Sequence, residues 1–226
     1  MRHHLIIFFL FFLERLGTSQ NVLLDNPSFE DRPGPNRAPQ GWYDCSYQFP
    51  GETPVDVQPS GSWNVTRVAQ DGETYVGMVV RENNTWEAIS QKLKGVLLKD
   101  SSYQFEIMIC TSDQYLSATR ESAWDGKKYN YTTPAKLVIW GGDKLCDRRE
   151  ILAESGVIKS NRWEKHSFIL KPVEDVTCIT LEAYYINDEI EPYNGNILID
   201  NASAFVPLKK SEATKNSVKG KQACFV

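Results

Sequence analysis

The chain has 226 residues, a mild net charge of −4 and 12% aromatic side chains, including six Trp and ten Tyr. Its basic residues are scattered until the last stretch, which argues against a nucleic-acid partner. Residues 1–19 read as a secretory leader: Arg2 gives a positive start, residues 5–13 (LIIFFLFFL) form an unbroken apolar run, and Gly17, Thr18 and Ser19 supply small residues for cleavage. That run is far shorter than the roughly 20 residues needed to cross a bilayer, and nothing later in the sequence is long and apolar enough to do so. The expected product is therefore exported, to the extracellular space, cell surface or periplasm, with no membrane span in the mature chain.

Residues 21–30 (NVLLDNPSFE) open the mature chain as a strand with Val22 and Leu24 in one phase. Residues 31–42 (DRPGPNRAPQGW) carry three prolines and two glycines and read as a loop, with a short strand from Trp42 and Tyr43. Strand signals then follow at 63–69 (WNVTRVA), 74–81 (TYVGMVVR), 85–93 (TWEAISQKL) and 101–110 (SSYQFEIMIC). Residues 111–134 break the rhythm. Strands resume at 135–142 (AKLVIWGG), 150–158, 162–172, 178–186 (CITLEAYYI) and 195–205 (GNILIDNASAF). No segment keeps a helical period. Strands at this spacing predict an all-β sandwich or jelly roll in one domain, residues 20–207, followed by a polar tail at 208–226.

The five cysteines are Cys45, Cys110, Cys146, Cys178 and Cys224. None has CxxC spacing, so zinc and thioredoxin-like chemistry are disfavoured. The first four can pair in three ways in an exported chain. Cys110 and Cys178 each lie in the more polar phase of their strands, which leaves a bridge between those strands open. Cys224 is the odd one out.

NVLLDNPSFE, the Gly41-Trp42 pair, DGETYVGM, QKLKGVLLKDSSYQFEIMI and ILIDNAS occur in this order. Together they resemble the jelly rolls of family 4, 9 and 22 carbohydrate-binding modules, within the galactose-binding-like superfamily. TPVDVQPSGSWNV, LVIWGG, LAES and YNGNILIDN are similar to a version found in surface and OmpA-associated proteins of Bacteroidetes. The resemblance implies a structural Ca²⁺ where the first and last strands meet. Its ligands would be Glu30 and Asp200, with the turn at Asp71 and Gly72 adding oxygens; calcium takes six to eight such hard donors.

It also implies a polysaccharide or oligosaccharide partner, bound by exposed rings. The long irregular segment concentrates Tyr115, Trp124, Tyr129 and Tyr131, and Trp86 follows a turn; these five are the candidate ligand residues. Trp42, Trp140 and Trp163 are assigned to packing. The alternative is a structural or adhesive cell-envelope protein that binds a protein partner, with a polysaccharide-active enzyme as a third reading. Catalysis is not expected. His166 is the one histidine outside the leader and has no nucleophile motif around it, and Asp188, Glu189 and Glu191 read as a solvated turn. Asn64, Asn83, Asn130 and Asn201 head N-x-S/T sequons.

Overall fold

The computed structural model describes residues 20–48, 51–118, 126–187 and 191–209. The expected leader, nearly all of the expected tail, Cys224 and Trp124 lie outside the described residues. No helix among the described residues is long and apolar enough to cross a membrane.

The chain forms β1 (Tyr43–Asp44), β2 (Asp56–Gln58), β3 (Tyr75–Arg81), β4 (Thr85–Trp86), β5 (Ala88–Leu97), β6 (Tyr103–Cys110), β7 (Leu116–Ser117), β8 (Tyr129–Asn130), β9 (Lys136–Gly142), β10 (Glu150–Glu154), β11 (Glu164–Leu170), β12 (Val176–Tyr184), β13 (Gly195–Asp200) and β14 (Val206–Pro207). One sheet runs β1-β5-β12-β9-β10. The other runs β11-β6-β13-β3-β2, with β14 added on β6 and β4 on β3. β7 and β8 form a separate hairpin. The pairings are antiparallel. This is the expected β-sandwich.

Alternation builds the core. Ile89, Leu137, Ile139, Ile179 and Leu181 point inward from the five-stranded sheet and meet Val76, Met78, Phe105, Ile107, Ile197 and Ile199 from the other. Trp42 joins this core as expected, 5.1 Å from Phe29 between ring centres, with its indole N–H donating to the Asn26 carbonyl.

One expectation changes. Residues 63–69 are not a strand: a 3-10 turn at Ser62–Asn64 leads into a loop whose Val65 is buried against the outer face of the seven-stranded sheet. The first and last segments do meet: Val22 pairs with Phe205, five residues past Asp200, while β13 itself lies between β6 and β3 and Leu23 bridges to Lys94 of β5. The start of the domain thus laces one sheet to the other.

The cysteines give a second correction. Cys45 bonds Cys146, and Cys110 and Cys178 are buried free thiols. Their shared polar phase puts both on outer faces, but of different sheets. Cys110 packs with Tyr75 and Leu198 outside the seven-stranded sheet, while Cys178 pairs with Lys92 and Gly142 in the five-stranded one. The sandwich core, about 10 Å thick, separates them.

Candidate ligand-binding face

The expected ring cluster divides. Tyr115 and Tyr131 are fully buried and build a second core with Val65, Tyr75, Val79, Cys110 and Leu198. The Tyr115 hydroxyl donates to Asp56, and buried Asn196 of β13 ties the covering segment down, accepting from the Ser112 N–H at 2.8 Å and donating to the Tyr131 carbonyl. Tyr129 is half-buried on β8, with the Lys127 ammonium 4.8 Å from its ring centre. Trp163 meets Tyr75 edge-on at 5.3 Å and donates its indole N–H to the Val68 carbonyl. Residues 59–74, 111–118 and 126–135 therefore roof the outer face of the seven-stranded sheet, and two of the expected ligand rings are part of the roof.

Trp86 belongs elsewhere. It is buried where the chain crosses from β4 in one sheet to β5 in the other, packed with the main core and not an exposed ring as expected. Directly paired residues share a face, so the register maps the outer face of the five-stranded sheet. Tyr43, Ser90, Thr180, Trp140 and Ile151 make one row across β1, β5, β12, β9 and β10. Ala88, Glu182, Val138 and Glu154 make the next, and Tyr184 with Lys136 the third.

Around Glu182 the rings converge. Trp86 and Tyr184 meet edge-to-face with centres 5.1 Å apart. The Arg148 guanidinium lies 4.7 Å from the Trp140 ring centre, 5.4 Å from Trp86 and 5.9 Å from Tyr184. It donates to Glu182 Oε1 at 2.7 Å. Glu182 is 0% exposed. Burial pushes its carboxyl up to about 7, against the opposing pull of the Arg148 charge and of the Trp86 and Trp140 side chains.

The two indole N–H groups lie near enough to the carboxylate to hold its pKa down. Yet neither they nor Glu182 Oε2 forms a hydrogen bond of good geometry. Native proteins leave few buried polar groups in that condition, and each calls for an explanation such as an ordered water or a ligand. The charges are compensated in pairs, Arg148 with Glu182 and, at 2.9 Å, Lys136 with Glu154. Trp140 and Tyr184 remain half-buried and form the open part of the platform.

Trp140, Tyr184, Arg148 and Glu182 were not among the candidates read from sequence. The signal was present in phase: in KLVIW the inward residues are Leu137 and Ile139, which sends Trp140 outward, and in TLEAY Leu181 and Ala183 send Glu182 and Tyr184 outward.

The expected calcium ligands do meet at one turn. Asp200 Oδ2 accepts from the Gln70 and Asp71 N–H groups at 2.7 and 3.0 Å, and Oδ1 from the Asn201 N–H at 2.7 Å. Glu30 Oε1 accepts from the Glu73 and Thr74 N–H groups at 3.0 and 3.2 Å. Ser28 donates to Asp71. Burial raises the Asp200 carboxyl to about 6, with the Asp71, Gln70 and Asn201 N–H groups pulling the other way. Among the described residues no group of three or more His, Cys, Asp or Glu side chains is placed to hold a metal ion. In this arrangement the Glu30 and Asp200 carboxylates accept from backbone N–H groups.

The strand arrangement is shared with solved structures. It superimposes with a TM-score of 0.50 and 12% identity on the arabinose-bound MgGH51 α-L-arabinofuranosidase, covering 83% of this chain and 26% of that one. The CBM22-1 xylan-binding domain from Paenibacillus barcinonensis Xyn10C gives 0.45 at 17% identity, covering 81% and 92%. The K1 cleaved adhesin domain of Lys-gingipain from Porphyromonas gingivalis W83 gives 0.46 at 11%, covering 82% and 98%. The likeness is one of β-sandwich fold. It spans about a quarter of the arabinofuranosidase and nearly the whole of the two domains. No family model and no curated protein sequence matches the chain.

Proposed function

We propose that this is an exported, non-catalytic glycan-binding domain, and that its ligand lies on the outer face of the five-stranded sheet against Trp140 and Tyr184. One observation carries the reading: a half-open pair of rings set rigidly around a fully buried, incompletely bonded carboxylate. Aromatic rings held in a fixed plane bind the C–H faces of sugars without losing rotamer freedom, and the neighbouring polar groups orient hydroxyls. Lys136 and Glu154 stand at the rim for that purpose. The pairwise compensation of charge favours a neutral glycan over a uronic or sulfated one, since an acidic ligand would have to displace Glu182 or Glu154 from its partner.

The test is a glycan array with the purified protein, followed by calorimetry of Trp140→Ala and Tyr184→Ala against the best ligand. Each truncation should lower affinity by about 1–3 kcal/mol, the burial scale of a large apolar side chain. Affinity unchanged in both variants, with wild-type melting, would move the site off this face. An array with no binder would favour the protein-adhesion reading.

A further inference from the structure

The outer face of the five-stranded sheet is not one continuous surface. Residues 143–149, between β9 and β10, fold back across it as a strap. The Cys146 N–H donates to Ser90 Oγ at 2.9 Å, and Thr180 Oγ1 donates to the Asp147 carbonyl at 3.3 Å. Ser90 and Thr180, the middle of the Tyr43-to-Ile151 row, are buried under it. The strap is closed on itself by the Asp147 N–H bond to the Lys144 carbonyl and the Asp143 N–H bond to Asp147 Oδ2. The Cys45–Cys146 disulfide pins it to the far edge, where Cys45 N–H bonds the Ala88 carbonyl. Past the strap lies a separate cavity of about 300 Å³, bordered by Tyr43, Lys92 and Leu145.

Given the glycan reading above, on which this inference rests, we propose that the strap makes the site a terminal one. It would accept the end of a glycan chain, or a short oligosaccharide, and not the interior of a long chain. Strand spacing of about 4.8 Å makes the row roughly 19 Å long from β1 to β10, and the strap leaves about half of it open on the Trp140 side. A chain lying across the sheet meets the cystine and Leu145 before it reaches Tyr43. The barrier is covalent, so it does not swing aside with a side-chain rotamer.

The experiment uses the wild-type chain and neutral β-1,4-linked gluco-, xylo- and manno-oligosaccharides of one to six units, together with the parent polysaccharides. For whichever series binds, affinity should level off by the second unit, with less than about a threefold gain from dimer to hexamer. Binding to the polysaccharide should rise in proportion to chain ends when the polymer is cut. Tyr43→Ala supplies a second measure: Tyr43 is 45% exposed, so its loss should not disturb folding, and affinity for the hexamer should stay within twofold. Affinity that climbs steadily to the hexamer, or falls fivefold or more in Tyr43→Ala, would overturn the terminal site and leave the glycan reading intact. No binding to any series would overturn both.

Discussion

Glu182 shows how much a single buried carboxylate can organise. Its loss would leave the Arg148 guanidinium, 29% exposed, without its anion. Glu182→Ala should therefore cost about 3 kcal/mol in a denaturant titration, at the lower end of the range for breaking a buried pair. Glu182→Gln keeps an acceptor for Arg148 and removes the cost of burying charge, so it should stay within about 1 kcal/mol of wild type at neutral pH. Burial raises this carboxyl from 4.5 to about 7, so between those values the folded state holds the proton more tightly than the unfolded chain. Its stabilising contribution is full below about pH 4.5 and is lost as pH rises through 7. The stability of wild type relative to Glu182→Gln should thus fall from pH 5 to pH 8. A rise would mean that the ion pair outweighs desolvation. By contrast Tyr131 has no open surface, and Tyr131→Ala should unfold more easily by about 3–5 kcal/mol, as for other large core truncations. These two residues mark what composition alone could not decide. A ring in an irregular segment and a ring in a strand look alike in the sequence until it is known which sheet face needs covering.

At the scale of elements, the strands were legible where period-two alternation is strong, above all in β6. The roof over the seven-stranded sheet was legible only indirectly. Every residue of β3 and β13 is buried, and runs such as TYVGMVV and NILI lack alternation for that reason: both of their faces are covered. Such runs require a second layer, and residues 111–118 and 126–135 supply it. The turn at 70–74 is the other element whose role changes with its neighbours. Glu30 and Asp200 grip its N–H groups from two sides, and Gly72, at φ 62°, has no room for a side chain because Glu30 occupies that space. The resemblance implies calcium here; we propose that the N–H bonds to both carboxylates hold the turn by themselves. Melting curves in excess calcium and in chelator should coincide. A calcium-dependent rise in wild type that vanishes in Asp200→Asn would restore the cation, because a ligand binding only the folded state stabilises by mass action.

For the whole molecule, the Cys45–Cys146 bond closes a loop with a sequence separation of 101 residues. Replacing both cysteines with serine should cost roughly 4–5 kcal/mol by the chain-entropy estimate for a loop of that length. Cys110 and Cys178 should resist thiol reagents until the protein unfolds; burial lifts the Cys110 thiol to about 12 and raises Cys178 as well. Rapid labelling of either in the native protein would contradict their burial. The pairing could not be derived from the sequence, because phase assigns a cysteine to a face but not to a sheet. The two large faces end up with different fates, one roofed by loops and the other left partly open.

The antiparallel bridge between Val22 and Phe205, with both backbone bonds formed at 3.0 and 2.9 Å, sets the entry and exit of the domain side by side. Covalent order is then nearly independent of shape. Residue 20 lies beside residue 207, so a few linking residues would close the domain into a ring, and it could be spliced into a surface loop of another protein as readily as attached at an end. Whatever it is joined to hangs from that one seam, where Leu23 is tied to β5 and β14 to β6, so a pull applied between the two ends loads both sheets at once.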